Sequence, residues 1–408
     1  MDFLTGGWRR ADKRSVLVAA GAALAVLLLL ATVLRASEHW PVQITSFDMH
    51  QFLLNTLDGL TAGAVYFLIA SGFTLIFGLM RVVNLAHGSF YLFGGYVAWS
   101  LADGSGNWIL GVLAAAGILM VTGVLMQQSL LRPLQNDIPS LRAGVIIVAA
   151  MGLVVFYTLA RFGDISTLSA ALAGLAVALV TASFFVQQSH LRVTQNRDLR
   201  EALITIGIST IAADLMLGHF GGLTYTLTPP DSINGATNLS WLSGLINTLT
   251  SFHMDDLIYP GLRLFVLGVA IGIFILLWGI LNLTRLGMIV RAAIDDRDMV
   301  SALGINTQVI FALLFGLGAA LGGLAGGIEA TLTSVSITDD GTFLLWSLIV
   351  VIIGGMGSLT GAAIGAVLVG LVEQYGLAYS PTNAETVIFV ILVIVLAIRP
   401  HGLLGRPA

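Results

Sequence analysis

The sequence contains no cysteine, which excludes a disulfide framework, a thiol nucleophile and any cysteine-ligated metal site. Lysine is almost as scarce. Of the 18 basic residues only Lys13 is a lysine, and it stands between Asp12 and Arg14. A nucleotide-binding P-loop needs a lysine that reaches the phosphates from a glycine-rich turn, so this chain has none, and any ATP that drives it is hydrolysed by another polypeptide. Charge as a whole is sparse: 18 basic and 22 acidic residues make up 10% of the 408 residues, against roughly 25% in soluble domains. Hydrophobic residues reach 57%. A soluble globular protein, a disordered chain and a nucleic-acid binder are thereby excluded. Nor does the sequence hold a paired general acid and base or a cluster of metal ligands, so no enzyme and no cofactor is expected.

What the chain has instead is hydrophobic runs. Stretches nearly free of Lys, Arg, Asp and Glu lie at 16–34, 52–79, 85–101, 108–131, 143–160, 168–186, 202–218, 261–281, 307–333, 343–357, 359–373 and 386–398. About 20 apolar residues cross the roughly 30 Å hydrocarbon layer. Within it only helices and closed barrels satisfy every backbone amide, and the runs lack the alternation of a barrel strand. The expected fold is all-α: a polytopic transmembrane helical bundle of about 10–12 membrane segments, with short or broken helices near 343–373. The first run follows Arg9, Arg10, Lys13 and Arg14 in the manner of a signal peptide. Its length and the lack of a small-x-small cleavage site favour a retained helix.

Threading these segments from a cytoplasmic N-terminus leaves only Arg35, Arg161 and Arg263 on the outside, with the other 15 of the 18 bases inside. So strong a positive-inside bias fixes the orientation, with both termini cytoplasmic. It also fixes parity: the two short runs on either side of Gly354-Gly355-Met356-Gly357-Ser358 both cross or both re-enter. The long loop at 219–259 has no Lys or Arg and belongs outside. Leu131-Arg132-Pro133-Leu134-Gln135-Asn136-Asp137 is echoed at Leu191-Arg192-Val193-Thr194-Gln195-Asn196, and two hydrophobic runs lie between them. These features divide the chain into an extra N-terminal helix with its outer linker (1–50), a first core part (51–136), an inserted helical hairpin (137–196) and a second core part (197–408).

Glycine numbers 47, well above the average of about 7% of residues. Gly318, Gly322 and Gly326 repeat every four residues, as do Gly357, Gly361 and Gly365. Each set is expected to line one helix face and let neighbouring backbones approach; a glycine-lined pore is the other reading. Carboxylates at membrane depth are costly and point to function, which singles out Asp58, Asp214, Glu329 and Glu373, the last near a helix end from which it can snorkel to water. Asn84 and His87 open the run that follows Arg81, either as an interfacial cap or as the start of a discontinuous helix that touches a transported substrate.

One segment, 282–306, leaves the membrane on the arginine-rich side. Ile289, Ala293, Val300 and Leu303 recur near helical spacing, Asp295 or Asp296 can cap a second short helix, and Gly304 can end it. Two short amphipathic helices with a docking surface are expected. The pattern Arg291-Ala292, Asp295-Asp296, Ala302-Leu303-Gly304-Ile305 resembles the coupling loop of ABC importer permeases, specifically the LIV-type branched-chain amino acid permeases. Gly59-Leu60-Thr61-Ala62-Gly63-Ala64-Val65-Tyr66 with Ser71-Gly72-Phe73 and Asn84-Leu85-Ala86-His87-Gly88, and Ile353-Gly354-Gly355-Met356-Gly357-Ser358, resemble the same family.

The resemblance implies a permease of the bacterial inner membrane that pairs with a second, similar permease and two cytoplasmic ATPase subunits, fed by a periplasmic binding protein. Branched-chain amino acids are the implied cargo, with urea and short amides as alternatives. It makes Arg291, Ala292, Asp295, Asp296, Ala302, Leu303 and Gly304 the ATPase-coupling residues. Tyr66 joins Asp58, Asn84, His87, Asp214 and Glu329 as candidates for the translocation path. The first helix and the hairpin depart from the family's usual core, and Asp58 stands where the family commonly has Asn. The competing function is an ion-coupled secondary transporter that uses the intramembrane carboxylates.

Overall fold

The computed structural model describes residues 49–80, 84–131, 197–249 and 256–405; the first hydrophobic run, the hairpin runs and most of the 131/191 echo lie outside them. The described chain is helical nearly throughout. Its helices are α1 (Met49–Phe73), α2 (His87–Ser105), α3 (Trp108–Met126), α4 (Arg197–Phe220), α5 (Asp231–Asn234), α6 (Ser240–Leu249), α7 (Gly261–Leu283), α8 (Arg285–Asp295), α9 (Arg297–Ala302), α10 (Thr307–Leu332), α11 (Asp339–Gly354), α12 (Leu359–Tyr379) and α13 (Ala384–Ile398). Strands β1 (Ala236–Asn238) and β2 (Ile258–Pro260) pair antiparallel. Among the described residues seven helices are long and apolar enough to cross a membrane: α1, α3, α4, α7, α10, α12 and α13, several with a short flanking turn. Since α12 is one of them, the second of the two short runs forms a helix long and apolar enough to cross; α11 has 16 residues.

The contacts form two compact units, one of Met1–Ala64, Gly235–Leu267 and Ile349–Ala408, the other of Val65–Asn234 and Gly268–Leu348. In the first unit the start of α1 runs antiparallel to α12. Phe52 packs on Tyr375 with ring centroids 5.8 Å apart, and the Thr56 and Tyr375 hydroxyls are 2.7 Å apart. Leu239, Leu257 and Tyr259 cover Leu53, Leu54 and Leu57 of α1. Between α11 and α12 the chain turns through Gly355 and Gly357, at φ of 107° and 80°. Gly357 therefore sits in a left-handed turn, not on a helix face with Gly361 and Gly365, because the fourfold repeat runs across a chain reversal. The amides of Leu403 and Leu404 donate to the carbonyls of Ile353 and Gly354, at 2.8 and 2.9 Å, and so satisfy the last acceptors of α11, which have no partner within their own helix.

In the second unit α10 is the central helix. Gly318, Gly322 and Gly326 face α1 and α2, while Gly316, Gly323 and Gly327 face α3. In lipid, helices gain little from hydrophobic burial against each other and depend on such close approach. The apolar faces of Leu113, Val121 and Leu125 on α3 and of Phe389 and Val393 on α13 stay exposed, as suits surfaces that meet hydrocarbon. At Gly326 an added Cβ meets the carbonyl of Tyr91, a contact no rotamer relieves. Gly326→Val is expected to destabilise this packing by about 3 kcal/mol, read as a lower melting temperature and loss of monodisperse protein in detergent.

Candidate functional site

The chain is broken between α1 and α2. α1 ends in a π-helical segment, Thr74–Leu79, a feature frequent at functional sites, and α2 begins only at His87. The imidazole of His87 packs beside Gly72 of α1 and Gly322 of α10. Gly322 lies 15 residues along α10, about 22 Å from that helix's start at 1.5 Å per residue. α2 thus starts deep in the bundle, and the interfacial-cap reading of Asn84 and His87 gives way to the discontinuous helix. Both side chains are fully buried. The Asn84 Oδ1 accepts from the Ala86 amide at 3.1 Å, and His87 Nε2 donates to the Ile69 carbonyl at 3.0 Å. That bond fixes the neutral tautomer with Nδ1 as an acceptor. Asn84 Nδ2, His87 Nδ1 and the Tyr91 hydroxyl, all buried, have no hydrogen-bond partner among the described residues; buried polar atoms of that kind are rare.

Tyr66 lies nearby, one turn before Ile69. It stacks on Trp346 at 5.2 Å and faces Phe343 at 6.5 Å; Tyr91, one turn beyond His87, stacks on the same Phe343 at 4.1 Å. A polar thread flanks the break: the Leu85 amide donates to Thr205 Oγ1 at 3.0 Å, Ser89 to Ser209 at 2.9 Å and Ser209 to Asp340 at 3.4 Å. Tyr91, Phe343, Trp346 and the serines escape sequence reasoning, because neither motif nor charge sets them apart and their partners lie on distant helices.

The carboxylates do not converge. Asp58 is half-buried and ion-paired with Arg263, and the Tyr259 hydroxyl donates to it at 2.8 Å. Burial pushes the Tyr259 phenol up to about 12, so it remains a donor at every physiological pH. Asp58 thereby ties β2 and the start of α7 to α1. Glu329 is near the end of α10, where Thr333 Oγ1 donates to it at 2.9 Å. Asp214 is exposed on α4.

The segment 284–306 forms two capped helices. Thr284 caps α8 through the Gly287 amide, and Asp296, not Asp295, caps α9 by accepting from Met299 at 2.9 Å. Gly304, at φ 82°, ends α9. Val290, Ala293 and Val300 are buried in one cluster with Ile76, Met80, Phe311 and Leu314. Leu286, Met288, Met299 and Leu303 are exposed, with Arg291, Ala292, Asp295, Asp296 and Ala302 among them. Of the apolar residues expected at helical spacing on the docking surface, Ala293 and Val300 are instead packed against this chain, while Leu303, just past the end of α9, is 72% exposed.

A family model described as branched-chain amino acid transport system / permease component matches residues 55–398. The chain is 28% identical over 367 residues to the high-affinity branched-chain amino acid transport system permease protein BraD of Pseudomonas aeruginosa, covering 88% of this chain and 98% of that protein. It is 26% identical over 368 residues to the corresponding permease protein LivH of Escherichia coli K12, covering 87% and 96%. A probable branched-chain amino acid transport permease protein LivH of Methanocaldococcus jannaschii is 24% identical over 208 residues, 48% of this chain and 63% of that protein. No solved structure matches the chain.

The Asp58–Arg263 pair lends itself to a double-mutant cycle. Because Arg263 is 42% exposed, Asp58→Asn and Arg263→Gln are expected to show a coupling of only about 1 kcal/mol in thermal unfolding, and the single Arg263→Gln change to be the worse of the two.

Proposed function

Because the chain belongs to the family of branched-chain amino acid transport system permease components, we propose that it is the membrane-spanning subunit of an ATP-driven ABC importer for branched-chain or related hydrophobic amino acids. In this reading it works in the bacterial inner membrane with both termini cytoplasmic. It pairs with a second permease and two ATPase subunits and receives its cargo from a periplasmic binding protein that sets most of the specificity. The observation that carries the proposal is the α8–α9 pair, anchored through one face and presenting exposed apolar and charged residues on the other.

The geometry suggests how ATP closure reaches the substrate path. Arg291 donates to the Leu281 carbonyl at the end of α7, and α9 leads through Gly304 into α10. The buried side of the pair touches Ile76 and Met80, the last turn before the break. A push on α8–α9 by the ATPases therefore acts on α7, on α10 and on the approach to Asn84 and His87, where we place the path together with Tyr66 and Tyr91. Alternation of two states of this region gives access first to one side and then to the other.

Gly304→Pro, which cannot adopt the left-handed φ, and Arg291→Glu are each expected to lower ATPase copurification or substrate-stimulated hydrolysis at least about tenfold, equivalent to ~1.4 kcal/mol of coupling. Unchanged values in both variants exclude docking at α8–α9. Uptake into proteoliposomes from an ion gradient alone, without ATPase subunits, would sink the importer reading in favour of secondary transport.

A further inference from the structure

α4 is the least buried of the seven spans, and its exposed side is not built for lipid. On its buried side Thr205 and Ser209 hold the polar thread to α2 and α11. Its exposed side carries Leu203, Gly207, Thr210, Asp214 and Leu217, spaced four, three, four and three. With Ile206 and Gly218 also exposed, they make up one face of the helix at the three–four spacing along which a second helix can pack. Among the described residues a Cβ at Gly207 meets nothing within 4 Å, so the glycine weakens its own helix by about 1 kcal/mol relative to alanine without serving a contact there; small residues at a membrane helix face otherwise mark the close approach of a second helix.

Asp214 is the second, independent observation. Phe220 at the end of α4 packs with Tyr96 at 4.4 Å and Tyr225 at 5.9 Å, and Trp99 lies 4.3 Å from Tyr225, an aromatic group of the kind that sits at the membrane–water boundary. Six residues earlier, Asp214 is about 9 Å inside that boundary, where a carboxylate facing lipid is strongly disfavoured. The exposed face of α3 carries no charge, and that of α13 only Glu385 in its first turn. α7 also exposes Gly268 and Gly272, but among apolar residues only, so nothing there distinguishes a protein neighbour from lipid.

We infer that the Leu203–Leu217 seam of α4 is the face on which this chain meets its partner permease, with Asp214 at the wet end of the interface, bordering the passage between the two subunits. This rests on the importer reading, which supplies the partner. A photo-crosslinking residue is placed at Leu203 or Leu217, and as controls at Leu113 or Val121 of α3, in the complex assembled in membranes with its ATPase subunits. The expected result is a crosslinked band of chain plus permease from both α4 positions, identified by peptide mass, and its loss from the α3 positions. Adducts confined to lipid, to residues 137–196 of the same chain, or formed equally from α3 overturn the inference while copurified ATPase leaves the importer reading standing. If no ATPase and no second permease are recovered, both fall. As a second readout, Asp214→Asn is expected to retain the crosslink and Asp214→Leu, which removes the polar end, to reduce it; equal yields in the two variants argue against a wet interface at that residue.

Discussion

The packing of α10 depends on backbone approaching backbone. Inside a bilayer the helices have no hydrophobic gain to draw on when they associate, since lipid tails are as apolar as leucine. Contact area between main chains takes over that part. Glycines on two faces of α10 allow it on two sides, Gly318, Gly322 and Gly326 towards α1 and α2, Gly316, Gly323 and Gly327 towards α3. Because α2 nests into the first of these faces, it can begin halfway along α10, and the chain before it can run through the interior instead of along a surface.

That placement creates the polar character of the region. A helix that starts inside the bundle leaves its first amides, and the side chains that precede it, without water. Part of this is met locally: Asn84 serves the Ala86 amide, and Thr205 serves Leu85. Part is left open at Asn84 Nδ2 and His87 Nδ1. Leaving such atoms unpaired costs on the order of 1–3 kcal/mol each, a cost that the translocation path proposed here would account for. Ala86 and Phe90, on either side of His87, belong to the same cluster as Met80, Val290 and Val300, so these polar groups adjoin the helix pair proposed to receive the ATPases.

Much of this was legible in the sequence, and the boundary is physical. Hydrophobic runs located every described span to within a few residues, since membrane solvation acts on each segment by itself. Caps at Thr284 and Asp296 and the stop at Gly304 are equally local. What periodicity missed is of two kinds: a local turn, since Gly357 falls in one although its spacing continues a helix repeat, and facts set by partners far along the chain, since Ser89, Ser209 and Asp340 acquire meaning only when α2, α4 and α11 meet. Residue types also do not say how deep α2 begins, because a polar cluster reads alike at an interface and at a broken helix.

Asp58 shows how one such long-range partner changes the reading of a residue. The family resemblance places asparagine there, which needs hydrogen bonds but no counter-charge. A carboxylate at the same point requires a cation, and the sequence is poor in bases on that side of the membrane by its own threading. Arg263 is one of the three it has, and it is spent on Asp58, with Tyr259 as the second donor. An acid and a base that look like separate exceptions, one to burial and one to the positive-inside pattern, are a single substitution in physical terms. The pair gives Asp58 a structural role at the β2–α7 junction, whereas Asp214 stands exposed on α4 with no ion pair among the described residues.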